Sequence, residues 1–128
     1  MLQILSGIFL ILHGLVHFWY VTLSMGWVTF QEDMGWTGQS WLLSGWLGEH
    51  AARYLAAAGY ALAGVLFAAA GALVWMNFES AGKWLVPAAV LSAGMIFLFW
   101  DGQLSLLVEK GLIGLVISLA VLIFLGVR

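Results

Sequence analysis

The sequence predicts an all-α integral membrane protein, a four-helix bundle with an interfacial helix or lid between its first and second spans. Three observations carry that expectation. The chain of 128 residues is 64% hydrophobic and only 8% charged, against about 25% charged in soluble domains. Four long apolar stretches fall at about residues 2–24, 53–76, 83–101 and 111–127, near the ~20 residues that cross a bilayer as a helix. Four tryptophans crowd the connection after the first stretch, and tryptophan favours the membrane–water interface. The length suits one membrane domain over residues 1–128.

The first span holds no formal charge but carries two histidines. At about 100° per residue, Ser6, His13, His17, Tyr20 and Ser24 fall within roughly 60° of one another. One polar stripe therefore runs along an otherwise apolar helix. Ionisable groups at membrane depth face protein, a partner or water, so this stripe is expected to point into the bundle. The segment lacks the basic start, short apolar core and small-residue cleavage site of a leader peptide, and is expected to remain as a span.

The connection from Met25 to His50 carries Glu32, Asp33, Glu49, Trp27, Trp36, Trp41 and Trp46. Residues 37–48 are expected to form a short interfacial helix or lid, capped by Thr37 or Ser40, with Leu42, Leu43, Trp46 and Leu47 on its apolar side. It is too short to span. The second span is rich in small residues. Gly64, Ala68 and Ala72 lie four apart, a spacing that lets membrane helices approach closely. A polar turn, residues 77–82, leads to the third span. Pro87 is placed in its first turn, where a missing N–H is tolerated. Pro87, Gly94 and Asp101 share a face, and Trp100 and Asp101 end the segment. The turn at residues 102–110 is expected to be partly helical before the fourth span, since LSLLVEK (104–110) has no helix breaker.

With four spans both chain ends share one side of the membrane. The Lys/Arg counts tie between the sides, and the terminal amine tips the expectation towards cytoplasmic termini. The four cations are scattered and net charge is −2; no nucleic-acid surface or polybasic lipid patch is expected. The chain has no cysteine, which excludes disulfides, thiol catalysis and thiolate metal sites.

Chemistry is expected at the end of the bundle where the titratable groups gather. The candidate ligand-binding residues are His13, His17, Tyr20, Trp100, Asp101 and His50. An apolar pocket with few polar contacts suits a quinone or a lipid. A divalent metal is the sharper alternative: histidines at i and i+4 can chelate one ion, with Asp101 or Glu49 completing the set. Three histidines are too few for membrane di-iron chemistry, and haem would need facing histidines from two helices. A proton or ion path through an oligomer is a further alternative, since histidine titrates near neutral pH. No G-x-S-x-G hydrolase motif occurs.

The segments LHGLVH (Leu12 to His17) and FWDG (Phe99 to Gly102) resemble those of a group of small, uncharacterised four-helix bacterial membrane proteins. Size and helix plan are also loosely similar to DoxX-like membrane proteins, some linked to quinone-coupled oxidation. The resemblance implies a bacterial plasma membrane and makes His13, His17, Trp100 and Asp101 the polar and aromatic landmarks; it implies no settled reaction. The leading expectation is a non-catalytic protein, a ligand binder or an accessory subunit of a homo-oligomer or larger membrane complex, with membrane lipids as its surroundings. A membrane redox or metal-dependent enzyme and an ion transporter are the alternatives.

Overall fold

The computed structural model describes residues 1–28 and 39–126, and it is all-α, with no strand among the described residues. The helices are α1 (Leu2–Ser24), α2 (Ser44–Leu47), α3 (Glu49–Trp75), α4 (Ala81–Leu98) and α5 (Leu112–Gly126). Three of them, α1, α3 and α4, are long and apolar enough to cross a membrane. With 15 residues, α5 rises only about 22 Å. Packing follows the chain: α1 lies on α3, α3 on α4, α4 on α5, and α2 rests against α3.

Polarity is inverted relative to a water-soluble bundle. The buried face of α1 holds Gly7, Leu10, His13, Gly14, His17, Tyr20, Leu23 and Ser24, while Ile8, Leu12, Leu15, Val16 and Trp19 are exposed. Soluble proteins rarely expose such continuous apolar surface. Ser6, placed on the polar stripe by its helical angle, is exposed and donates back to the Leu2 carbonyl at 2.9 Å. The other four members of the stripe are buried.

What joins α1 to α3 is backbone contact. Gly7 and Gly14 are seven residues apart, as are Gly64 and Gly71, and the two pairs meet antiparallel. A Cβ added to Gly7 would lie 2.8 Å from the Gly71 carbonyl oxygen, and one on Gly71 would lie 2.7 Å from that of Gly7. Gly14 and Gly64 stand in the same reciprocal relation, at 2.8 and 2.9 Å. Side chains are excluded at these points, so carbonyls meet glycine Cα–H groups across the interface, a recurrent weak attraction between close helices. The expected small-residue face of α3 is thus centred on Gly64 and Gly71.

Element boundaries differ from expectation for local reasons. α3 begins at Glu49 rather than near residue 53, because Gly48 takes the turn with φ 79 and Glu49 falls in the favourable first turn. α4 begins at Ala81, which moves Pro87 from the first turn to the second and leaves the Lys83 carbonyl without its helical donor. Residues 102–110 form turns rather than helix, with Leu106 left-handed at φ 54. Of the expected interfacial helix, only Ser44–Leu47 is helical among the described residues. Glu32, Asp33, Trp36 and the expected cap Thr37 lie outside the described residues.

Ser40 closes the turn before α2, whose own N-cap, Leu43, has no side-chain bond. The Ser40 hydroxyl accepts from the N–H groups of Leu42 and Leu43, and its own N–H donates to Ser44 Oγ. The same stretch also closes α4. Ser40 Oγ donates to the Leu98 carbonyl, Trp41 Nε1 donates to the Phe97 carbonyl at 2.9 Å, and Trp41 N–H donates to Trp100 O at 2.8 Å. Helix C-termini leave carbonyls unpaired, at high cost where water is scarce. The tryptophan connection therefore serves α4 as a cap.

Alanine at Gly14 or Gly71 is expected to push α1 and α3 apart and lower stability by about 1–3 kcal/mol. Gly82→Ala, with nothing within 4 Å among the described residues, is expected to be neutral or slightly stabilising. Denaturant unfolding in mixed micelles reads the difference.

Candidate functional site

The six expected site residues fall in three places. His13 and His17 lie in the core. Tyr20, Trp100 and Asp101 surround the connection from α4 to α5. His50 is exposed at the start of α3.

The core histidines sit between two apolar clusters, one around Tyr20, Tyr60, Met95 and Phe99, the other around Leu10, Phe67, Ala88 and Ala89. His17 is 2% exposed. Its Nδ1 is 2.9 Å from the His13 carbonyl oxygen, and its Nε2 is 2.7 Å from Ser92 Oγ on α4. A carbonyl can only accept, so these partners assign the proton to Nδ1 and make Nε2 the acceptor. Ser92 must then donate to His17. Ser118 on α5 donates to Ser92 at 3.0 Å. The result is one polarised chain: Ser118 O–H to Ser92, Ser92 O–H to His17, His17 N–H to His13 C=O. It ties α1, α4 and α5 at one level, and each bond strengthens the next.

A serine hydroxyl donating to a histidine is also how a nucleophile is activated. Here Ser92 has no exposed surface, sits mid-helix, and spends its acceptor site on Ser118. The arrangement fits helix registration better than hydrolysis.

Asp101 does not join the histidines. One carboxylate oxygen lies 2.8 Å from Lys110 Nζ, and the other accepts the Gln103 N–H at 2.9 Å. Both side chains of the ion pair are about 5% exposed. This corrects the expected His17–Asp101 proximity. A desolvated carboxylate needs a full positive charge, and Lys110 supplies it from the same connection. Around the pair, Trp100 Nε1 and Lys110 Nζ both donate to the Gln103 carbonyl, and Tyr20 OH donates to that of Glu109. These groups pin the α4–α5 connection to α1.

His13, His17, Asp101 and Glu49, the candidate metal ligands, do not converge. Among the described residues, no three His, Asp or Glu side chains form a group able to hold an ion. Glu49 is exposed and accepts from Gln39.

A wide hollow lies at the opposite end from the tryptophan connection. It is a lateral groove of about 890 Å³ between α1 and α5, floored by α4, with Phe9, Leu10, Leu85, Val121 and Phe124 as apolar walls. Gln3, Ser6 and Glu79 stand at its mouth. A narrower hollow of about 310 Å³ shares Phe9, Leu85, Val121 and Phe124 and continues along α5 to Ile117. Another, of about 430 Å³, lies beside Ser24, His50 and Arg53. The sequence did not indicate the groove, because its walls are spaced-out apolar residues indistinguishable from lipid-facing ones. Ser92 and Ser118 were also missed. Their only signal is that each is a lone hydroxyl in an apolar run.

Ser92→Ala would leave His17 Nε2 without a donor and is expected to cost about 1–3 kcal/mol. Ser118→Ala should cost less alone and be strongly non-additive with Ser92→Ala in a double-mutant cycle. Lys110→Met alone is expected to destabilise by about 3–5 kcal/mol, because it strands a buried carboxylate, and adding Asp101→Leu should recover much of that loss. Unfolding in micelles checks each.

No family model, no curated protein and no solved structure matches this chain.

Proposed function

We propose that the chain is a four-span membrane bundle that binds a hydrophobic ligand, without catalysis, in the lateral groove between α1 and α5. The observation that carries this reading is the groove itself. Its volume of about 890 Å³ falls within the ~300–1,000 Å³ of small-molecule sites. Apolar walls and a polar mouth match an amphipathic lipid-like molecule whose chain enters sideways from the bilayer.

The membrane placement rests on three further features. Three helices have spanning length and apolarity. Large apolar side chains face outward along all four longer helices. Exposed tryptophans stand near both ends, Trp75 and Trp84 at one and Trp27, Trp41 and Trp46 at the other, as an interfacial girdle does. We place the bundle in a bacterial plasma membrane, in keeping with the LHGLVH and FWDG resemblance, with both termini cytoplasmic on the strength of the terminal amine.

The test is lipid retention. The protein, purified in mild detergent, is expected to carry about one lipid per chain by native mass spectrometry. Val121→Trp, which fills the groove, should remove it while leaving thermal stability within a few degrees. Equal retention by both proteins, or none by either, would contradict the proposal.

A further inference from the structure

We infer that His13 reads a hydroxyl carried partway along the hydrophobic chain of the groove's ligand. This rests on the groove reading above and names the chemical class it selects.

The starting observation is an orphan. His13 is 6% exposed, and its Nε2 is enclosed with no hydrogen-bond partner among the described residues. Native interiors leave few polar atoms in that state. The contrast with His17, one turn away with both ring nitrogens bonded, shows that this core can satisfy a histidine when the position is structural.

The orphan lies one helical turn beyond the lining of the groove. Phe9, one turn before His13, lines both hollows. Its ring is stacked on His13, with centroids 6.3 Å apart and planes 9° from parallel. On α5, Ile117 lines the narrower hollow. Gly114, one turn further in, brings α5 close to His13: a Cβ built there would lie 3.9 Å from His13 Cε1 and 3.2 Å from Ile96 Cδ1. His13 and Gly114 thus form the layer that lies beyond Phe9 and Ile117. On α1, the Phe9 ring stands between His13 and the groove. Phe9 is 50% exposed, so its side chain has room to change rotamer, a fast motion.

The surroundings choose the ligand group. His13 is packed against Phe67 at 4.6 Å between centroids, and no charged side chain among the described residues is bonded to its Nε2. An ionic group would be desolvated there without a counter-charge. A lone water needs two to four polar partners, and Nε2 offers one. A hydroxyl on a hydrophobic chain needs a single partner, because its own carbons fill the apolar space. It both donates and accepts, so it suits either His13 tautomer. His13 lies seven residues beyond Ser6 at the mouth, about 10 Å of helix rise, so the hydroxyl belongs partway down the chain and not at its polar head.

The probes are two monoglycerides, one of stearic acid and one of a mid-chain hydroxystearic acid, added to the delipidated protein and measured as bound ligand by native mass spectrometry. Wild type is expected to favour the hydroxylated lipid about tenfold. His13→Phe should bind both equally and be at least as stable to heat, since it removes an unsatisfied group. The His13 ring nitrogen signals of wild type should shift with the hydroxylated lipid only. Equal binding of both lipids by wild type, or an undiminished preference in His13→Phe, would overturn the inference. If Val121→Trp then abolishes that equal binding, the groove stands and only the role of His13 fails. If Val121→Trp changes nothing, the groove reading falls with it.

Discussion

The contact on which this fold depends is the meeting of two backbones, Gly7 against Gly71 and Gly14 against Gly64. In hydrocarbon, apolar side chains gain little by meeting one another instead of lipid, so helices associate where they can approach closely. The glycines set that approach and with it the antiparallel register of α1 and α3. That register brings His13 and His17 against Phe67, and Tyr20 against Tyr60. It turns the polar stripe of α1 inward, and it presents His17 Nε2 to α4.

From there the structure obeys one rule, that polar groups find partners inside the chain. His17, Ser92 and Ser118 form a directional chain linking three helices. Asp101 and Lys110 neutralise each other within the α4–α5 connection, and Ser40 and Trp41 satisfy the last carbonyls of α4. Such links are individually modest, but in a membrane the alternative to each is an unpaired polar group. They fix helix registration where apolar packing alone would permit sliding. Against this background the unpartnered Nε2 of His13 stands apart, and so does the groove below it.

Much of the scaffold was legible in the sequence, because hydropathy and helical period act locally. The first helix matches its expected limits at Leu2 and Ser24. The helical period also identified His13, His17, Tyr20 and Ser24 as the inward face. The site was less legible. Ser92 and Ser118 give no periodic signal, and their meaning depends on α1 arriving beside them. Asp101 looked like a partner for histidine because both lie towards one end of the bundle. Lys110, at the end of the turn after α4, is the partner the carboxylate requires. Gly7 and Gly14 carried a readable spacing, seven residues, that matches Gly64 and Gly71. Its significance appears only when the two helices are laid side by side. The groove reflects a gap between elements, and no local pattern encodes a gap.

In the proposed membrane bundle the histidine face of α1 looks inward and its opposite face meets lipid. Because the chain has no cysteine, single cysteine variants along residues 8–20 can each carry one spin label in reconstituted bilayers. Oxygen accessibility is the measurement. Maxima are expected at Ile8, Leu12, Leu15, Val16 and Trp19, all exposed, and minima at Leu10, His13, His17 and Tyr20, all buried. Maxima on the histidine face, or uniform access to a water-soluble relaxation agent, would contradict this arrangement.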